Sequence, residues 1–185
     1  MSTDEPASAK GRWLSTRAQF IGIGAFYVIV VVFFTLTSGF FFSISNVLNI
    51  LSNITVIGIV ALGQTLAIVS GGFDLSVSGV VPLGAVMFVI FCNADVATPL
   101  AILLVLLVCA MVGIFNGLLV TKVGINPLIA TLGTLSITAG MAFALSNGVT
   151  IPLKNLDAGI LAERFFGKIP YYVIALIGLS VLIWF

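Results

Sequence analysis

From Ala18 to Phe73 the chain carries no charged residue. A water-soluble domain needs ions on its surface, and these 56 residues supply none. A helix crosses the bilayer core in roughly 20 residues. The stretch is therefore too long for one transmembrane helix and long enough for two with a short connection. The rest of the chain shares the bias: 7% of residues are charged and 61% are hydrophobic, against about 25% charged in a typical soluble domain. The mean hydropathy is +1.31. Five or six spans fit within 185 residues. The expected fold class is all-α, a polytopic transmembrane helix bundle.

Several function classes drop out. The seven basic residues are scattered and form no stripe, which argues against nucleic acid as a partner. There is no His, the commonest general base and metal ligand. Cys92 and Cys109 lie inside apolar stretches without metal spacing or a second ligand set, and read as small buried hydrophobes. Gly167-Lys168 is followed by Ile169, and Ala162 stands where a P-loop has its first glycine, so no such nucleotide site is present. No close pair of carboxylates sits within a span, so a proton relay is poorly supplied. No cofactor or metal is expected. If cargo is pumped, the energy must come from another subunit.

Turn residues divide the chain. Residues 1–17 are polar, with Asp4, Glu5 and Pro6 ahead of Lys10, Arg12 and Arg17, and read as a short flexible tail. The apolar run that follows is too long for the core of a signal peptide. Spans are expected at Phe20–Thr37, Val47–Val69, Leu75–Phe91, Leu100–Val120 and Leu128–Leu145, with a sixth apolar run from Tyr171. Ser45 or Asn46 is placed to cap the second, and Pro82 to kink the third. Residues 146–170 form a longer polar loop. The sixth run stops at Phe185 after about 15 residues, short of the roughly 20 a crossing takes, so a fragment cut inside a span is expected. Basic residues ahead of the first span place the N-terminus in the cytoplasm. Counting spans then puts Asp74 and Lys122 toward the cytoplasm, with Asp95 and the 146–170 loop outside.

Asp74 stands in Ser-Gly-Gly-Phe-Asp-Leu-Ser between apolar runs. An ionisable group at membrane depth is costly and is a functional candidate. Two readings coexist: it caps the third helix by accepting from the Ser76 or Val77 N–H, or it meets cargo. Gly71-Gly72 permits backbone shapes other residues resist, and irregular backbone at depth is tolerated only when buried or lining a wet cavity. Gln64 either bonds a neighbouring helix or lines a polar path, and Asn116 poses the same choice. Gly113 and Gly117 form a small-xxx-small pair, which implies close helix packing. Asn126-Pro127 is a helix start signal.

Together these residues bring a family into view. Asn46-Val-Leu-Asn-Ile-Leu51 and the run from Gly58 through Gly-Gly-Phe-Asp-Leu-Ser to Val77 resemble the membrane subunit of ABC sugar importers, in the ribose, xylose and arabinose group. Phe115-Asn-Gly-Leu-Leu-Val120 and Asn126-Pro-Leu-Ile-Ala-Thr-Leu-Gly133 follow in the expected order. The likeness covers about residues 46–150. It implies a dimer of permease copies in the cell (inner) membrane. A periplasmic solute-binding protein would deliver cargo, and an ATP-hydrolysing subunit would drive transport. On this resemblance residues 1–17 are a cytoplasmic tail and 18–185 an incomplete permease domain, ending before the loop that engages the ATPase. The translocation path or gating turn is expected to involve Gln64, Ser70, Gly71, Gly72, Asp74 and Ser76, with Asn116, Asn126 and Thr131. Residue 78 is Ser where the family often has Gly, and Gly79 follows at once.

Two other readings compete with a transport subunit. A membrane enzyme would need Lys154, Asp157, Glu163 and Arg164 to converge in one pocket. A passive assembly of packed helices accounts for the small residues but not for the Gly-Gly-Phe-Asp break.

Overall fold

The computed structural model describes residues 9–154, 164–165 and 169–184. Six helices lie among them: α1 (Ala9–Thr37), α2 (Ile44–Val69), α3 (Val77–Asn93), α4 (Thr98–Thr121), α5 (Pro127–Ser146) and α6 (Tyr171–Trp184). A two-residue antiparallel ladder precedes α6, with β1 (Arg164–Phe165) paired to β2 (Ile169–Pro170) and Phe165 opposite Ile169. Four segments are long and apolar enough to cross a membrane: Ala18–Thr37, Ile44–Val69, Thr98–Thr121 and Pro127–Ser146. Val77–Asn93 and Tyr172–Ile183 are shorter apolar helices. The expected all-helical polytopic architecture is what the chain adopts.

Helix α1 begins at Ala9, so its backbone reaches back into the polar stretch read as a tail. Residues 1–8, with Asp4, Glu5 and Pro6, lie outside the described residues. The chain forms two compact units, Met1–Leu51 and Ser52–Phe185. In the first, the turn after α1 is tied by Asn46, whose side-chain nitrogen donates to the Phe41 carbonyl at 2.8 Å. The Phe34 and Phe41 rings stack with centroids 5.9 Å apart. The cap of α2 is neither Ser45 nor Asn46. Ser43 Oγ accepts from the Asn46 N–H at 3.2 Å, because the helix starts one turn earlier than the apolar run suggests.

In the second unit α3, α4 and α5 pack against one another. The closest approach is at Gly79, fully covered by Leu135, Thr138 and Ala139 of α5. Gly84 makes room on the other side for Val105 and Cys109 of α4. Thr131, Thr134 and Thr138 are buried along one stripe of α5, each hydroxyl donating to a carbonyl of its own helix. That internal bond lets a polar side chain be buried at low cost. Cys92 and Ala101 form a second buried cluster with Phe88, Phe91 and Val96. Leu176 of α6 lies over Gly58, and Tyr172 bonds the Ser52 hydroxyl. Large side chains such as Leu103, Leu106, Ile114 and Ile129 point outward, an apolar surface far beyond what a monomer in water tolerates and suited to lipid.

The helix ends explain the path between these elements. Helix α2 closes with the Gly71 N–H on the Ile68 carbonyl and the Gly72 N–H on the Ala67 carbonyl, both at 3.0 Å, with Gly71 at φ +84°. This is a Schellman closure. Asp95 (φ 60°) closes α3 and Asn147 (φ 52°) closes α5 in the same way. Pro82 lies within α3, which runs on through it.

Candidate functional site

Ser76, already at helical dihedrals, leads into α3, and between it and the end of α2 the backbone from Gly72 to Leu75 is not helical. Its polar groups must find partners elsewhere, since lipid offers none. Asp74 Oδ1 accepts twice from Ser76, from the N–H at 2.9 Å and from the hydroxyl at 2.5 Å. The expected bond to the Ser76 N–H is present, but it closes a turn ahead of α3 rather than capping the helix. The helix begins at Val77, and the Ser76 side chain makes no cap bond.

Three helices hold this turn. Gln64 on α2 donates its side-chain N–H to the Asp74 carbonyl. Its partner is thus the backbone of the break, not the neighbouring helix that sequence reasoning offered. Asn116 on α4 donates to Ser76 Oγ at 3.0 Å, in a fully buried contact. Thr131 on α5 comes within 3.5 Å of the Phe73 carbonyl while bonding the Pro127 carbonyl at 2.8 Å.

A cavity of about 280 Å³ opens beside the turn. Ser70, Gly71, Gly72, Asp74, Asn116 and Thr131 line it. Ser76 and Gln64 bond the same turn without lining the cavity. Asn126 stands apart from the lining: its Oδ1 accepts from the Leu128 N–H at 2.9 Å and starts α5, as Asn-Pro predicts.

Gly113 and Gly117 correct an expectation. Nothing lies within 4 Å of where either would carry a Cβ, so they mediate no close packing among the described residues. Both line the cavity instead, with Thr121 one turn further on. Close packing falls instead on Gly79 and Gly84 of α3 and on Gly58 under Leu176, with Gly79 the tightest of the three. Of the threonine stripe on α5, Thr131 is among the residues expected from sequence and Thr134 and Thr138 are not, although the spacing of three and four residues is a usable signal. Of the proposed enzymatic cluster, Asp157 and Glu163 and the Arg164 side chain lie outside the described residues.

The family model described as branched-chain amino acid transport system / permease component matches residues 46–185. The chain belongs to this permease family. The autoinducer 2 import system permease protein LsrD of Escherichia coli strain K12 is 39% identical to this permease over 126 residues, which make up 68% of this chain and 38% of that relative. LsrD of Shigella flexneri matches at the same identity and coverage. The permease thus spans little more than a third of the length of these curated relatives. No solved structure matches it. Family membership and the four long apolar helices make it a multi-pass membrane protein, and the site described above falls inside the matched region.

Proposed function

We propose that this permease chain contributes the translocation path of an ABC importer for a monosaccharide or similarly small polar solute. The carrying observation is the break between α2 and α3 at Phe73–Ser76, held by α2, α4 and α5 beside a cavity. Discontinuous helices at membrane depth are where transporters place cargo sites and moving parts. The relatives are importers of autoinducer 2 by name, which supports a small polar cargo.

On this reading the ATP-hydrolysing subunit, a periplasmic solute-binding protein and a second permease copy are the partners. Residues 18–185 are the permease domain, and the chain carries cargo rather than catalysing a reaction. The N-terminal tail, residues 1–17, faces the cytoplasm of the inner membrane, following Lys10, Arg12 and Arg17. Asn93, at the end of α3, donates to the Pro152 carbonyl at 2.9 Å and accepts from the Lys154 N–H at 2.8 Å. That contact supports the span count, which puts both segments on the outer face.

The test is uptake into proteoliposomes holding the permease, its ATPase and its binding protein, with D-ribose and autoinducer 2 as trial solutes. Asp74→Leu removes both bonds to Ser76 and is expected to lower ATP-driven uptake at least tenfold. Unimpaired uptake in that variant would remove the role given to Asp74. Ion flux without ATPase would make the protein a channel.

A further inference from the structure

The turn between α1 and α2 holds a cavity of about 390 Å³. It joins two segments long and apolar enough to cross a membrane, Ala18–Thr37 and Ile44–Val69. Residues 38–43 therefore lie where hydrocarbon gives way to headgroups. Ser38, Ser43, Ser45 and Asn46 supply polar lining. The Ser38 and Ser45 hydroxyls bond nothing among the described residues. Ser43 Oγ accepts from the Asn46 N–H and keeps its own proton unspent. Asn46 gives one amide proton to the Phe41 carbonyl, which leaves its Oδ1 an open acceptor. Water at the membrane surface can answer any one of these groups. The rest of the lining says why a lipid answers them together.

That remainder is aromatic, with Phe34, Phe40 and Phe41. Phe34 and Phe41 stack with centroids 5.9 Å apart, and Phe41 meets Phe42 edge to face at 5.1 Å. Phe40 is 81% exposed, and Leu36, Phe42 and Ile44 of the same turn also point outward. Polar lining among large apolar side chains fits an amphiphile, whose head bonds the serines while its acyl chains cover the apolar surface. A free polar solute would leave that surface bare. An acyl chain alone would leave the polar side chains unanswered. The charge of the head follows from the lining. No residue from Ala18 to Phe73 is charged, whereas anionic lipids are held by basic clusters. A head that carries its own balancing charge needs no counter-ion from the protein. Its phosphate oxygens accept hydroxyl protons in charge-assisted bonds. Its ammonium meets Asn46 Oδ1 and the ring faces.

We propose that the α1–α2 turn is a headgroup site for a zwitterionic phospholipid, with the phosphate on the Ser38, Ser43 and Ser45 hydroxyls and the ammonium against the phenylalanines. The site is independent of what the permease carries. The 185-residue chain, stripped of lipid in a nonionic detergent, is titrated with a phosphatidylethanolamine and with a phosphatidylglycerol of the same acyl chains. Native mass spectrometry counts the lipids bound. The first phosphatidylethanolamine is expected to bind saturably and about tenfold tighter than the phosphatidylglycerol. Ser38→Ala with Ser45→Ala removes two hydroxyls that hold nothing else in the fold. The pair should weaken phosphatidylethanolamine about tenfold at unchanged helicity. Phe40→Ala should weaken it as well while sparing the stacked rings, and decides the matter if the serine pair does not fold. Ser136→Ala, on an α5 hydroxyl bonded to its own helix, should change nothing.

Equal affinity for the two lipids would mean ordinary annular lipid and overturns the proposal. So does unchanged phosphatidylethanolamine affinity in the serine pair, or an equal loss in Ser136→Ala. Tighter binding of a diacyl glucoside overturns the charge argument and the proposal with it. Displacement by soluble glycerophosphoethanolamine would make the cavity a solute site and overturns it too.

Discussion

Gly79 of α3 lies against Thr138 of α5 with no room for a methyl group between them. The Leu135 carbonyl oxygen stands 2.6 Å from the same Cβ position, so the obstacle includes backbone that cannot rotate away. Gly79→Ala must push the two helices apart. Overpacking of this kind costs about 1–3 kcal/mol. Gly113→Ala, with nothing near its Cβ position, should be neutral or gain up to roughly 1 kcal/mol from helix propensity. Thermal unfolding in nanodiscs separates the two. Equal midpoints would show that α3 and α5 are not in this contact.

Gly71 and Gly72 look equivalent in the sequence and are not equivalent in the fold. Gly71 has φ +84°, where an L side chain is strained by roughly 1–2 kcal/mol. Gly72 has no such φ, and a Cβ there would make ordinary contact with Pro127 at 3.7 Å. Gly71→Ala should therefore lower the unfolding midpoint clearly more than Gly72→Ala. The reverse order would mean that α2 does not end in the closure described.

Gln64→Glu is nearly isosteric and exchanges an N–H donor for an oxygen. The Asp74 carbonyl, which is part-buried, would lose its partner on α2, at a cost of up to about 1 kcal/mol. Amide hydrogen exchange should quicken at Ser76, whose N–H is bonded inside that turn. Unchanged exchange there would show that Gln64 does not hold the break.

Helix positions were readable because their ends carry local chemistry. Gly71 must end α2, and Asn126-Pro127 must begin α5, whatever surrounds them. The start of α1 was not readable, since Lys10 and Arg12 are good helix formers that look the same in a tail. Ser43 escaped notice as a cap because Ser45 and Asn46 offer the same chemistry nearby. The candidate site was partly legible. Gln64, Asp74 and Asn116 stand out as polar groups in apolar runs, and a polar group at depth must be bonded to something. Which partner each finds depends on the rotation of its helix, and this chain's sequence alone leaves that open. Gly113 and Gly117 show the limit most plainly, because a glycine facing a neighbour and a glycine facing a void are spelled alike.

The carbonyls of Phe73 and Asp74 and the hydroxyl of Ser76 answer to three different rods. A slide or roll of any one of α2, α4 or α5 by an ångström or so must stretch a bond anchored in this short segment. Residues 73–76 are thus placed where displacement of one rod is felt mechanically by the others, as tension on a shared knot.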